Sequence, residues 1–401
     1  MHEIKDSGIE WIGAIPARWE LKRIQHAISE IKVKNSPVQT EQVLSLVKDK
    51  GVMLYEDKGD VGNKAKEDVS EYKLAYPNTL IVNSMNILIG SVGLSNYFGC
   101  VSPVYYVFKE TPEADLRFIN YIFNTREFQK ELRKYANGIL EIRLRVSASD
   151  IFKRKIPLPE KSTQKAIADF LDAKRAEIDA LSADIQTQID MLEQYKRSVI
   201  TEAVTKGLNP NVEMKDSGIQ WIGEIPAHWE VIATKHCFTI GNGSNPSTTE
   251  GETPVYGSGS NSFKTCVEYK EGPTVLLGRK GTINIPQWIE GHYWNVDTAF
   301  DVKPKNNYNL KLFYYAAICF DYDSYSTQTA LPSMTQWDYY NLKLPYMPPE
   351  EQERVVCFLD SKCVKIDEII TAKHEQLNIL DEYKKSLIFE YVTGKKEVPS
   401  A

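Results

Sequence analysis

The sequence predicts an α+β protein of two similar globular domains, each followed by a long helix. The two helices are expected to form an antiparallel coiled coil with pseudo-two-fold symmetry. Three observations predict this. A long polar stretch with a seven-residue apolar repeat occurs twice. A segment rich in tryptophan and proline also occurs twice. Between these repeats lie two dissimilar stretches that each read as strands, then a helix.

The helical repeat is in fixed register. Ile156-Pro157-Leu158-Pro159-Glu160 leads into Gln164, Phe170-Leu171-Asp172, Ile178-Asp179, Tyr195-Lys196-Arg197-Ser198 and Val204-Thr205. Its counterparts are Leu344-Pro345, Pro348-Pro349-Glu350, Gln352, Phe358-Leu359-Asp360, Ile366-Asp367, Tyr383-Lys384-Lys385-Ser386 and Val392-Thr393. Leu171, Ile178, Ile185, Leu192 and Val199 recur every seventh residue, with Leu181 and Tyr195 as a second row. The other copy gives Leu359, Ile366, Leu380 and Leu387, with Ile369 and Tyr383 beside them. A sustained heptad of this kind is a coiled-coil seam. Proline and glutamate open each copy, where a missing N–H does no harm and the helix dipole favours negative charge. Gly207 and Pro210 close the first copy and Gly394 closes the second. Such rods, about 40 residues at about 1.5 Å each, reach about 60 Å. One amphipathic rod cannot bury its stripe alone, whereas two in one chain can. The alternative is two helices that each pack only on their own domain.

The opener Lys5-Asp6-Ser7-Gly8-Ile9-Glu10-Trp11-Ile12-Gly13 through Trp19 returns as Lys215-Asp216-Ser217-Gly218-Ile219-Gln220-Trp221-Ile222-Gly223 through Trp229, and reads as a packing element that seats each domain. The chain therefore divides into residues 1–158, a domain; 159–207, a helix; 208–346, a second domain; and 347–401, a second helix. In the first domain, residues 79–83 and 101–108 read as strands and 116–123 as a helix. In the second, residues 275–277 and 300–302 read as strands and 310–318 as a helix. Similar frames with different loops suit readers of two different ligands.

Composition narrows the function. With 401 residues, 42% of them hydrophobic, two to four globular units are expected. No signal peptide or transmembrane run is visible, so a soluble, cytoplasmic protein is expected. The six cysteines form no CxxC pair and the six histidines no HExxH, which predicts a reducing compartment and no metal site. A net charge of −6 argues against a chain that coats nucleic acid nonspecifically. It leaves DNA binding open, because acids such as Asp169, Asp172, Asp179, Glu350, Asp360 and Asp367 are segregated on the rods.

GxxxxGK[ST], GxGxxG after a strand, GxSxG and a base-methylation motif are all missing, so no catalytic residue is assigned. Loops suited to DNA are present. Arg279 and Lys280 sit between glycines after a strand, and Arg279 can bond a guanine edge in two places. Asn242 and Ser244, and Tyr256 ahead of a Gly/Ser run, offer amides and hydroxyls. Gln328 and Ser333 lie shortly before Asp338. In the first domain the corresponding candidates are Asn83, Ser84 and Asn86 after a strand, and Arg143 and Arg145 further on. For any one of these residues, a phosphate contact or an ordinary turn is the competing reading to a base contact.

On these residues the chain resembles the specificity (S) subunit of Type I restriction–modification enzymes. The resemblance covers the whole chain and rests on the paired openers, on Ile156-Pro157-Leu158-Pro159 and Leu344-Pro345 with Pro348-Pro349-Glu350-Glu351-Gln352, and on Val204-Thr205-Lys206-Gly207-Leu208 with Val392-Thr393-Gly394-Lys395. Val101-Ser102-Pro103-Val104-Tyr105-Tyr106 and Trp294-Asn295-Val296-Asp297-Thr298 also match. A departure is Lys161-Ser162-Thr163 before Gln164, where the family has a plainer Pro-x-x-Glu-Gln; it bears on the first helix cap. The resemblance implies that each domain is a target recognition domain for one half of a split site in double-stranded DNA. It implies that the helices set the gap and dock two methylation (M) subunits. Those bind S-adenosylmethionine, and restriction (R) subunits using ATP and Mg join through them; no cofactor is expected on this chain. Two other classes compete: a fused restriction–methylation enzyme, and a two-headed coiled-coil adaptor without a DNA role.

Overall fold

The computed structural model describes residues 3–47, 50–59, 65–138, 144–248, 250–325 and 331–399. It forms two compact units, residues 1–184 with 375–401, and residues 185–374. The division runs through both long helices, Lys161–Lys206 and Pro349–Val392. Each unit thus holds one globule, the start of the helix that follows it, and the end of the other helix.

In the first unit the opener folds as a hairpin, Ile4–Asp6 against Ala14–Pro16. The Asp6 carboxylate accepts from the Gly8 amide at 3.0 Å, an Asx turn with Gly8 at φ +65°. The next strand, Glu20–Arg23, pairs with Lys155–Leu158, so the Ile-Pro-Leu-Pro segment is a strand that ties the helix start to the opener. The globule is built on a four-stranded antiparallel sheet of β1 (Ile28–Glu30), β2 (Thr79–Asn83), β3 (Val92–Ser95) and β4 (Tyr105–Glu110), in the order β1-β4-β2-β3. All five residues of β2 are buried, the apolar Leu80-Ile81-Val82 together with the polar Thr79 and Asn83 at its ends. The predicted strand over 101–108 is broken: Gly99–Val101 pairs elsewhere, and the Tyr105 amide bonds back to Ser102 O at 2.9 Å. Pro103 explains the break, because it cannot supply a ladder donor.

The second unit repeats the plan. Met214–Asp216 pairs with Glu224–Pro226, and Glu230–Ala233 with Lys343–Tyr346. Its main sheet, β5 (Phe238–Asn242), β6 (Thr274–Gly278), β7 (Gln287–Ile289) and β8 (Ala299–Pro304), has the order β5-β8-β6-β7. This is the first unit's topology. The units differ outside it: here Thr253–Tyr256, Lys264–Cys266, Lys270–Glu271 and His292–Asn295 form another four-stranded sheet.

The duplicated residues at each helix start hold it to its globule. Gln164 is fully buried; it donates to Pro159 O (2.7 Å) and Glu113 O (2.9 Å), and accepts from the amide of Asp115, the cap of helix Leu116–Phe123. Gln352 does the same with Met347 O and the amide of Asn309, the cap of helix Leu310–Cys319. Two turns on, Asp172 and Asp360 accept from the hydroxyls of Tyr121 and Tyr315. Burial and the adjacent carboxylates push both phenols well above their usual range.

At the helix ends, Gly394 (φ +70°) lies against Pro16 and Trp19 in the first unit, and Gly207 (φ +75°) against Trp229 in the second. A Cβ on Gly394 would fall 2.5 Å from Pro16 Cδ, so glycine is required both for the turn and for the close approach.

The helices run antiparallel inside each unit. In the first, Phe170 meets Tyr391 (ring centroids 4.6 Å apart) and Asp179 meets Lys384 (2.6 Å). In the second, Gln188 meets Lys373 (2.5 Å) and Asp367 meets Lys196 (2.7 Å). Lys384–Asp179 and Lys196–Asp367 are the same contact in the two copies of the repeat. The heptad row stands: Leu171, Ile178, Ile185, Leu359, Ile366 and Leu387 are buried, and Leu192 and Leu380 half-buried.

The second row is corrected. Leu181, Tyr195, Ile369 and Tyr383 are 48%, 54%, 46% and 50% exposed and lie off the seam. The occupied row is one residue later, Ser182, Ile189 and Lys196 on one helix and Cys363, Ile370, Leu377, Lys384 and Tyr391 on the other. A heptad row accepts a companion three or four residues away, and only the partner helix selects between them. Lys196 and Lys384 lay their stems along the seam and place their ammonium groups on aspartate, so a count of apolar residues passes them over. No helix among the described residues is long and apolar enough to cross a membrane.

Candidate nucleic-acid interface

In both domains the candidate residues gather at the end of the central strand, where β2 or β6 leaves the sheet. Two backbone hydrogen bonds build the place. Ser84 N donates to Val104 O (3.3 Å), and Ser84 O accepts from Val146 N (3.1 Å). Arg279 N donates to Thr298 O (2.7 Å), and Arg279 O accepts from Met334 N (3.1 Å). Val146 and Met334 each precede the capping residue of a short helix, Ser147 and Thr335. Ser84 and Arg279 therefore occupy one position in a shared frame.

What the frame presents differs. Asn83 and Ser84 are buried, at 8% and 4% exposed, and Asn83 Oδ1 accepts from the Met85 amide. Read from sequence as contact residues, they instead support the loop, because β2 is covered up to its last residue. Asn86 and Arg145 are exposed. Arg145 exchanges backbone hydrogen bonds with Asn137 (2.8 and 2.9 Å), and its guanidinium lies beside Met85 Sδ. Arg143 and Gln328 lie outside the described residues.

In the second domain Arg279 and Lys280 are exposed. Lys280 bridges Ser333, and Gly281 N bonds Pro332 O at 2.9 Å, which seats the turn on the segment before helix Gln336–Asn341. The segment 294–298 gathers the other loops. Val296 N bonds Tyr256 O (3.0 Å), Ser244 N bonds Asn295 O (3.0 Å), and Trp294 Nε1 bonds Ser244 O (2.7 Å). Asn242 and Ser244 are exposed, and Tyr256 is half-buried. Gly243 lies so close to this segment that a Cβ would fall 2.0 Å from Val296 O.

Sequence reading missed the support beneath. Lys270 Nζ donates to Asn295 Oδ1 and Asp301 Oδ1, both at 2.8 Å, and Asn295 Nδ2 donates to Ala299 O. Asp301 is 4% exposed in the middle of β8. A buried charge inside an apolar strand demands a partner, so Asp301 was the signal. Nearby, burial pushes the Tyr293 phenol up to about 12.

Exposed arginine and lysine on glycine-bounded turns, with amide and hydroxyl groups alongside, suit the phosphates and base edges of DNA. The family model for the Type I restriction modification DNA specificity domain matches the chain twice, over residues 16–191 and 226–379. The chain belongs to this family. It is a DNA sequence-recognition subunit of a type I restriction–modification system, a non-catalytic component. Over an alignment 440 positions long it is 23% identical to the protein named as the putative type I restriction enzyme MjaX specificity subunit of Methanocaldococcus jannaschii, with 96% of each chain covered. It is 25% identical to that organism's type I restriction enzyme MjaVIII specificity subunit over 239 residues, 57% of this chain and 51% of the relative. Among solved structures, a chain from a study of complex assembly and conformational transition of the type I R-M system matches with a TM-score of 0.73 at 14% identity, covering 95% of this subunit and 99% of that chain. The HsdS subunit of Thermoanaerobacter tengcongensis matches at 0.52 and 14% identity, covering 98% and 100%. These structural likenesses concern the fold.

Proposed function

We propose that each globular domain of this specificity subunit reads one half of a bipartite site in double-stranded DNA. In this proposal the paired helices set the gap between halves and dock two methylation subunits, and restriction subunits join through them. The observation that carries it is the shared frame with unlike surfaces: Ser84, buried, and Arg279, exposed, stand at the same place. A scaffold kept constant beneath changed contacts is what two readers of different sequences need.

Two docking sites are supported by the off-seam residues. The first unit exposes Leu181, Ile379 and Tyr383; the second exposes the repeat equivalents Ile369, Met191 and Tyr195. The same apolar set presented once per unit fits two copies of one partner. S-adenosylmethionine, ATP and Mg belong to the partner subunits in this scheme, and the complex acts on DNA in the cytoplasm.

The test is an exchange of residues 20–155 for those of a relative, in the assembled complex, followed by mapping of methylated adenines. One half of the recognised site should change and the other should stay. A change in both halves would contradict separate readers.

A further inference from the structure

We propose that the second domain reads thymine in its half-site through two exposed apolar side chains, Leu331 beside the Arg279–Gly281 turn and Phe263 beside Gly257 on the neighbouring loop; this rests on the DNA-reading role proposed above. Phe263 is 58% and Leu331 51% exposed. Single exposed hydrophobic residues are ordinary on a protein surface. Their placement here is what points to a ligand.

A Cβ built on Gly257 would lie 3.6 Å from the Phe263 ring edge; one built on Gly281 would lie 3.9 Å from Leu331 Cδ1 and 3.6 Å from Ser258 Oγ. Leu331 therefore stands beside Gly281, and Phe263 beside the buried Gly257, where a Cβ would also fall 2.9 Å from Thr298 Oγ1; Ser258, next to Gly257, links the two places through its approach to Gly281. Both are held by backbone rather than carried on loose arms. Phe263 N bonds Val255 O at 3.1 Å, and Pro332, next to Leu331, accepts from Gly281 N at 2.9 Å.

The surrounding charge is complementary to a polyanion. Arg279 and Lys280 are exposed on the turn, and Lys264 Nζ lies 5.5 Å from the centre of the Phe263 ring. Those cations match phosphates and guanine edges. Carbon surfaces among them match neither. On a duplex, the apolar group presented at a base edge in the major groove is the C5-methyl of thymine, and phenyl and aliphatic side chains are its complement.

The experiment uses the subunit assembled with its methylation subunits. The probe is a duplex carrying the host's methylated site, in which each thymine of the second domain's half-site is replaced singly by deoxyuridine. That change removes the methyl group and nothing else. Burial of one methyl contributes about 0.8 kcal/mol, so one or two replacements should weaken binding by about four-fold each. Phe263→Ala or Leu331→Ala should weaken binding to the thymine duplex by a similar factor and abolish the thymine–uracil difference at one position. Phe263→Leu should retain it.

Three results would overturn the proposal. One is a wild-type complex indifferent to deoxyuridine at every thymine of that half-site. Another is alanine variants that weaken binding but keep the thymine–uracil difference. The third is a selective effect on abasic or mismatched duplexes, the mark of a wedge between base pairs. Failure of the wild-type complex to prefer its site over a scrambled duplex would sink the DNA-reading role instead, so the two failures are told apart.

Discussion

Replacing Thr163 with glutamate should stabilise the first unit, and the second unit shows why. There Glu351 accepts from Trp229 Nε1 and pairs with His228 Nε2, both at 2.9 Å. Burial works against the Glu351 charge, but these two hydrogen bonds outweigh it and hold the carboxyl below its usual range. Thr163 occupies the equivalent position in the first unit, and Trp19 Nε1 is buried with no hydrogen-bond partner among the described residues. A cavity of about 290 Å³ lined by Arg18, Trp19, Thr163, Ile167 and Val398 adjoins it. A hydrogen bond to a charged acceptor contributes about 1.5–3 kcal/mol. A carboxylate in the first turn of the helix adds about 0.3–1 kcal/mol. Ordering the glutamate side chain costs up to about 2 kcal/mol. The expected net gain is about 1–2 kcal/mol, which raises the melting transition of a unit of roughly 200 residues by about 3–6 °C. Calorimetry of Thr163→Glu should show that shift, and hydrogen exchange at the Trp19 indole should slow. Glu351→Thr should do the reverse in the second unit. An unchanged or lower transition in Thr163→Glu, with indole exchange as before, would refute the assignment of Trp19 as an unmet donor.

Other expectations follow from the same contacts. Arg279→Ala should cost about 1–3 kcal/mol of DNA binding and relax discrimination in the second half-site; a loss uniform over sequences would make it a phosphate contact. Removing residues 185–191 and 373–379, one matched heptad from each helix, keeps the seam in register and shortens the pair by about 10 Å. That is about three base pairs at about 3.4 Å each, so the methylated sites should move together by about that much, and an unchanged gap would mean the helices are not the spacer. The lowered pKa of Glu351 means its ionised form stabilises the fold above its unfolded value of about 4.3, a contribution lost as pH falls through the folded value. Glu351→Gln should therefore be less stable than wild type at pH 6, and the gap should close toward pH 3 in thermal melts; a constant gap would remove the carboxylate's role.

The sequence by itself determined the duplication, the order of elements and the family. Repeats are visible as residue identities, and the periods of 7 and 2 are local properties of helix and strand. The helix Leu116–Phe123 and the strand Thr79–Asn83 were legible for that reason. The tertiary structure decided what depends on a partner surface. It moved the companion row of the seam from Leu181 and Tyr195 to Ser182 and Lys196, because a helix's inner face is defined by what packs on it. It placed Ser84 beneath the surface and Arg279 upon it, though both directly follow similar strands. It also gathered residues 1–184 and 375–401 into one unit, since the end of each long helix lies on the opener of the other copy. Burial and pairing across hundreds of residues are long-range contacts, and no local pattern in the chain encodes them.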